Sequence, residues 1–499
     1  MFDPSGIVEG FGLLMDWRVM LIMVLGLVFG IVTGAIPGFS TPLAISIMLP
    51  LTYTMSPIVA IVFLTAIYAG GNFGSSISAI LLNIPGSPQA IVTGLDGNPM
   101  TKQGKANEAL GTAVAASASG NLMGSFFLIL IMPLIVTFAL MFGPPELFLV
   151  GVLGLTVIAA LHHSFLKALI AGMFGVLLGT VGMTSTGAIR GTHGYFELMD
   201  GIPVIPALIG LIGFSELFYM LQKAYVTGSG KEVGSGSNLK KLLSGYRETF
   251  RYPFAILRSS TIGVFIGALP GAGGTIASVV SYNEAKRQSK EPEKFGKGSS
   301  EGLLSAESAN NASEGGALAT MLSLGIPGGL ATAVLIGAFM LQGLIPGPRL
   351  FLDNQGLVYG VMLAQFFTSA LLLFVGLAIS FYAARIINIP TMVLIPVIAV
   401  FSITGTYAVS LLMFDVKIML IFAVLGIILR RFDYPLIAVI LGLILGPILD
   451  RQLLRTYQGA GGLDLGIFLG RPVSVFLLIL LLISLIPLAL RLYRNAFRR

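Results

Sequence analysis

GIVTGAIPGFSTPLA, Gly30 to Ala44, returns as GVFIGALPGAGGTIA, Gly263 to Ala277. Gly30/Gly263, Gly34/Gly267, Ala35/Ala268, Pro37/Pro270, Gly38/Gly271 and Ala44/Ala277 match at one offset of 233 residues. A second pair follows: NIPGSPQA with Pro85 and Gly86, and GIPGGLAT with Pro327 and Gly328. Pro-Gly does not continue a helix, because proline lacks the N–H and glycine loses the most backbone entropy. All four lie in strongly apolar sequence, so each marks an interruption in a helical region.

Composition sets the solvent. With 499 residues, 55% hydrophobic and 10% charged, and a mean hydropathy of +0.93, the chain is too apolar for a water-soluble fold. It reads as an all-α polytopic membrane protein, since a helix satisfies its own backbone in lipid. The 63 glycines suit close packing of transmembrane helices. No cysteine is present, which excludes disulfides and thiolate metal sites. The net charge of +7 does not point to nucleic acid: Lys and Arg fall in short segments between apolar runs, the pattern that orients membrane proteins. The opening MFDPSGIVEGFGLLMDWR carries Asp3, Glu9 and Asp16 before Arg18. That is unlike a cleavable signal peptide and predicts a periplasmic N-terminus.

The basic clusters predict the path. Those at Lys102/Lys105, at Lys167, from Lys223 to Arg258, from Lys286 to Lys297, at Arg385, at Arg430/Arg431 and in the tail can all be cytoplasmic if the runs between them cross in alternating directions. This gives a first membrane half, 1–222, with a repeat core at 18–100. A cytoplasmic linker follows at 223–258, and then a second half, 259–499, with a repeat core at 259–346. In the second core, Ser259 to Leu269 runs apolar, turns at Pro270-Gly271 and returns to Tyr282. Each leg has about a dozen residues where a span needs about 20, so a re-entrant hairpin is predicted. The first core's legs, between Arg18 and Met55, fit a hairpin or two full spans. A discontinuous helix follows each, broken at Ile84-Pro85-Gly86 and at Ile326 to Gly329, and the two copies face opposite ways. Ordinary spans are expected near 109–140, 146–161, 166–182, 201–222, 356–384, 389–412, 416–429, 434–449 and 473–490. The total is about 11–13 membrane elements.

Inverted repeats with broken helices near the midplane are the pattern of secondary transporters. Half-helix N-termini offer free N–H groups and positive dipole ends to an anion. The candidate substrate site is therefore Pro37, Gly38, Ser40, Thr41, Asn83, Pro85, Gly86 and Ser87 in one copy, and Pro270, Gly271, Gly273, Gly274, Thr275, Pro327, Gly328 and Gly329 in the other. The competing reading is that these small residues serve helix packing alone. Asn72, Ser75, Asn310, Asn311 and Glu314 are candidates for cation coupling, against which Glu301 to Glu314 also reads as a solvated interfacial helix. No metal or cofactor is expected, since His162, His163 and His193 flank spans without a carboxylate at ligand spacing. GNPMTKQGKA, Gly97 to Ala106, has the wrong spacing for a phosphate loop, so the energy must come from Na+ or H+.

The chain resembles the large, TctA-type membrane subunit of the tripartite tricarboxylate transporters over nearly its whole length. The resemblance is carried by GAIPGFS, LLNIPGSPQAIVTGLDG, GALPGAGGTIAS, SAESANNASEGGAL, LGIPGG and GLIPGPRLF. It implies a multi-pass protein of the bacterial inner membrane that takes up citrate-like or other carboxylates with a small four-helix membrane subunit and a periplasmic solute-binding protein. The residues themselves also fit a stand-alone carrier of organic anions. A membrane-embedded hydrolase would need an apposed nucleophile and base, for which only a serine with His163 or His193 offers itself.

Overall fold

The protein is described by a computed structural model at residues 4–162, 164–184, 186–221, 238–383, 391–460, 462 and 465–496. Residues 222–237 of the expected linker, His163, Arg385 and the end of the basic tail lie outside the described residues.

Helices follow one another along the chain. The first part comprises α1 (Pro4–Leu14), α2 (Trp17–Ala35), α3 (Thr41–Met48), α4 (Pro57–Leu82), α5 (Ile91–Lys102), α6 (Ala106–Ala139), α7 (Pro144–Leu161), α8 (Phe165–Gly179), α9 (Val204–Leu208) and α10 (Ser215–Leu221). After the linker come α11 (Leu239–Thr249), α12 (Pro253–Gly267), α13 (Gly273–Gln288), α14 (Ser300–Leu324), α15 (Leu330–Leu341), α16 (Pro348–Asp353) and α17 (Gln355–Phe381). The chain closes with α18 (Thr391–Ser410), α19 (Met413–Arg431), α20 (Leu436–Ala460), α21 (Leu465–Leu469) and α22 (Pro472–Ala496). Among the described residues, five helices are long and apolar enough to cross a bilayer, α2, α4, α6, α17 and α20, and shorter apolar helices accompany them. The only strands among the described residues are Gly182–Met183 and Ile189–Arg190, a two-residue antiparallel ladder. This is an all-α polytopic membrane fold.

The chain divides into two compact units, and both repeat cores fall in the same one. That unit is Met1–Ile135 with Glu216–Val409. Within it α2 packs along α4, and α12 along α14. The second leg of the first hairpin, α3, has eight residues and a rise of about 12 Å, far short of the roughly 30 Å core of a bilayer. Pro42 stands in the first turn of this leg, and a 3-10 turn, Pro50–Thr54, follows it. The second hairpin's legs, of 15 and 16 residues, are also short.

Within the expected linker segment, residues 239–249 are helical, because Leu239, Leu242, Leu243 and Tyr246 recur at helical spacing. Leu242 is fully buried. Gly111 of α6 and Gly245 of α11 let the two helices touch backbone to backbone, and Thr112 Oγ1 donates to the Gly245 carbonyl at 3.2 Å.

The other unit, Val136–Ser215 with Ser410–Arg499, stands on close helix crossings. Gly175 of α8 and Gly442 of α20 each lie against backbone of the other helix. Between α9 and α10 the expected span contains a π-helical turn, Ile209–Phe214, where Gly210 packs on α19 at the Met419 carbonyl. Glu146, in the first turn of α7, takes hydrogen bonds from Ser474 Oγ at 2.5 Å and Arg471 Nη1 at 3.1 Å.

Candidate transport site

The two copies fold alike at matched positions. Gly38 and Gly271 both turn the hairpins with positive φ, 83° and 74°. The broken helices end at Asn83 and Gly325, both left-handed at φ 58° and 72°, each N–H closing on the carbonyl four residues back. A Cβ on Gly34 would overlap the Gly71 carbonyl oxygen, and one on Gly267 that of Ser313. Gly86 and Gly328 stand in the same way against the carbonyl oxygens of Gly34 and Gly267. Each break is thus clamped to the first leg of its own hairpin by backbone contact that only glycine permits.

This sorts the candidates. Gly34, Gly86, Gly267 and Gly328 each lie against backbone of a neighbouring segment, where a side chain would not fit. Gly38 and Gly329, by contrast, face open space, with nothing within 4 Å of where an added methyl would stand. Gly38 is exposed and Ser40 half-buried at the first tip, while Pro37 is buried. At the second tip Gly271 N–H donates to the Gly328 carbonyl at 3.0 Å, joining tip to break. Pro270, Gly273 and Thr275 are half-buried beside it, and Pro327 is buried. At the first break Ser87 Oγ donates to Ser75 Oγ at 2.8 Å, Gly86 N–H reaches the Ser75 carbonyl at 3.3 Å, Asn83 is exposed and Pro85 half-buried.

Between the two copies lies a buried polar core. Asn72 of α4 and Glu314 of α14 occupy equivalent positions, 242 residues apart like Pro85 and Pro327, and touch: Asn72 Nδ2 donates to Glu314 Oε1 at 2.6 Å. The two broken helices therefore meet at matched positions. The side-chain carbonyl of Asn72 accepts from Thr41 Oγ1 of the first tip at 3.2 Å and from Gln89 of the first break. Gln365 Nε2 of α17 holds Glu314 Oε2 at 2.9 Å. Two turns earlier on α14, Glu307 accepts from Ser76 Oγ at 2.6 Å, Thr93, Ser117 Oγ at 2.7 Å and Asn311 Nδ2 at 3.4 Å. Both carboxyls are fully buried, as are Asn310 and Asn311. Glu301–Glu314 is therefore no solvated interfacial helix; its Ala, Ser and Gly neighbours let other helices close over the polar side chains. Asn310 keeps both side-chain polar atoms without a partner. Its Oδ1 lies beside Gly274, at the start of the second hairpin's return leg.

Sequence reading names Asn72, Ser75, Asn310, Asn311 and Glu314 as coupling candidates, but not Glu307, Thr93, Ser117 or Gln365, which share this polar core. A lone glutamine in the apolar run of α17 was the available signal. The hydroxyls carried none, since serine and threonine are ordinary in packed membrane helices. Among the described residues, no group of three or more His, Asp or Glu is placed to hold a metal.

Comparison with known proteins agrees with this architecture. The chain is 36% identical over 456 residues to an uncharacterized 52.8 kDa protein in the TAR-I ttuC' 3' region of Agrobacterium vitis, covering 91% of this chain and 89% of that one. It is 34% identical over 224 residues to an uncharacterized protein in the TAR-II ttuC' 3' region of the same organism, covering 45% of this chain and 92% of that one. No solved structure matches. The family model of the Tripartite tricarboxylate transporter TctA family matches residues 20–441, and with the repeated Pro-Gly elements inside that span the chain belongs to this family.

Proposed function

We propose that the chain is the large membrane subunit of a secondary transporter of the bacterial inner membrane, taking up a tricarboxylate or other organic anion by alternating access coupled to cation entry. The observation that carries this reading is the Asn72–Glu314 contact: equivalent residues of two broken helices meet in the protein interior, tied through Thr41 and Gln89 to a hairpin tip and a break. Two such copies of opposite orientation can exchange roles and expose one site to either side. The half-helix N-termini near Gly38, Ser40, Gly273 and Gly274 are where an anion would bind, beside Gly329, whose own N–H is taken by Thr332 Oγ1. Asn72, Ser75, Asn310, Asn311 and Glu314 form the coupling side of the site. As a member of a tripartite family, the chain works with a small four-helix membrane subunit and a periplasmic solute-binding protein.

Coupling follows from charge. Moving a trianion inward against about 100 mV, inside negative, costs roughly 7 kcal/mol before any concentration gradient. At least as many Na+ or H+ must enter as the substrate has charges. The test is uptake of labelled citrate and other carboxylates into proteoliposomes holding this chain with its small membrane partner, with and without the binding protein. Uptake that needs the binding protein and stops when both ion gradients and the potential are collapsed is expected. Equal uptake without the binding protein would identify a stand-alone carrier, and hydrolysis without uptake would identify an enzyme.

A further inference from the structure

We propose that Glu307 is a proton-binding site: its carboxyl takes up and releases H+. The inference rests on the cation-coupled reading above and assigns its ion. Three of the four side chains on Glu307 are hydroxyls, from three other helices: Ser76 of α4, Thr93 of α5 and Ser117 of α6. A hydroxyl donates and accepts, and its hydrogen rotates. The ionised carboxylate takes all three as donors; after protonation, one hydroxyl turns to accept from the new O–H. The carboxyl itself is hydrogen-bonded in both states, the condition under which a buried carboxyl can change charge without losing its network.

Glu314 is held differently. Its oxygens take N–H groups from Asn72 and Gln365, amide donors that cannot rotate a hydrogen as a hydroxyl does, although Gln365 Oε1 is, like Asn311 Oδ1, buried without a partner. Asn72 cannot reverse, because its carbonyl is engaged by Thr41 and Gln89. Asn311 adds a second sign at Glu307. Its Nδ2 holds the carboxyl, while its Oδ1 is fully buried with no partner, an acceptor beside the group that would carry the acid hydrogen.

No counter-charge competes with the proton. α4 carries no Lys, Arg, Asp or Glu, and its Tyr68 does not bond Glu307. On α5 and α13, Asp96 is engaged by Tyr282 Oη and loop N–H groups, and Arg287 by Glu284. Arg258 of α12 binds Gln288, and Glu301 of α14 binds Ser289. Lys102, Glu108, Lys286, Arg349 and Asp353, and the charged residues of α11, make no ion pair or hydrogen bond with Glu307. In the cycle, H+ from water on the outward-open side adds to the carboxylate to give the neutral acid. The same proton returns to water on the inner side, moving one positive charge inward.

The test is infrared difference spectroscopy of the full-length chain in lipid bilayers, without substrate or partners, titrated from about pH 9 to about pH 5, the range buried carboxyls reach. A carbonyl band of a protonated carboxylic acid should grow as pH falls. Its Glu307 component should be lost in Glu307→Gln, whose amide keeps the donors engaged, persist in Glu314→Gln, and shift in frequency and midpoint in Ser117→Ala. The serine variant decides the matter if Glu307→Gln does not fold: an unshifted band overturns the proposal. So does a wild-type chain without the band, a band undiminished in Glu307→Gln, or one set by Na+ at fixed pH. Because no substrate is present, this outcome and that of the uptake assay are read separately.

Discussion

Glycine has two distinct duties at the Pro-Gly elements, and substitutions separate them. A methyl on Gly86 or Gly328 would enter a backbone carbonyl of the neighbouring helix, and overpacking of that kind costs about 1–3 kcal/mol. Gly86→Ala and Gly328→Ala should therefore lower the amount of membrane-inserted protein and its melting temperature. Gly38 sits in open space at φ 83°, so Gly38→Ala carries only the strain of a left-handed residue, about 1–2 kcal/mol. Gly38→Asp should insert yet lose uptake per inserted molecule, because its charge repels the anion. Gly172→Ala, whose methyl would make ordinary contacts, is the control. Normal uptake by Gly38→Asp would remove the first tip from the site.

At the scale of elements, the two copies are laced together by their distal ends. Asp96 in the middle of α5 accepts from the N–H groups of Gly296, Gly298 and Ser299 at 2.8, 2.9 and 2.8 Å, and from Tyr282 Oη at 2.8 Å. The carboxylate of one copy thereby organises the loop after the other copy's hairpin. The reciprocal contact is weaker, a single bond of 2.8 Å from Gln342 Nε2, just past α15, to the Thr52 carbonyl. Hydrogen bonds to a charged group are worth about 1.5–3 kcal/mol each. Asp96→Ala should thus loosen residues 289–299 and speed tryptic cleavage at Lys290, Lys294 and Lys297, whereas Gln342→Ala should leave that cleavage unchanged. Equal cleavage in both variants and wild type would deny Asp96 this role.

The whole molecule has an orientation that its charge pattern predicts. The 223–258 and 284–301 segments and the C-terminus should face the cytoplasm, and the N-terminus the periplasm. A chain without cysteine gives a clean probe: Ser244→Cys, exposed on α11, should react with an impermeant thiol reagent in inverted vesicles and not in intact cells. Reaction in intact cells would reverse the topology, and with it the direction in which the proposed proton step runs.

The membrane class, the approximate helical segments and the two Pro-Gly pairs were legible in the sequence, because hydropathy and proline chemistry act locally: a residue without an N–H breaks a helix wherever it stands. The family was legible for the same reason, since its motifs are contiguous. What only the tertiary structure decided is non-local. The helix at 239–249 depends on its fit to α6. The eight-residue length of α3 depends on where Pro42 and Pro50 are held. The division of the glycines into clamps and open tips depends on which carbonyl lies opposite each. Glu307 and Glu314 have the same composition of neighbours in sequence, small and polar, yet one is held by hydroxyls and the other by amides. Those donors come from helices 190 to 242 residues away for the closest bonds, and no local pattern records which helix will face which.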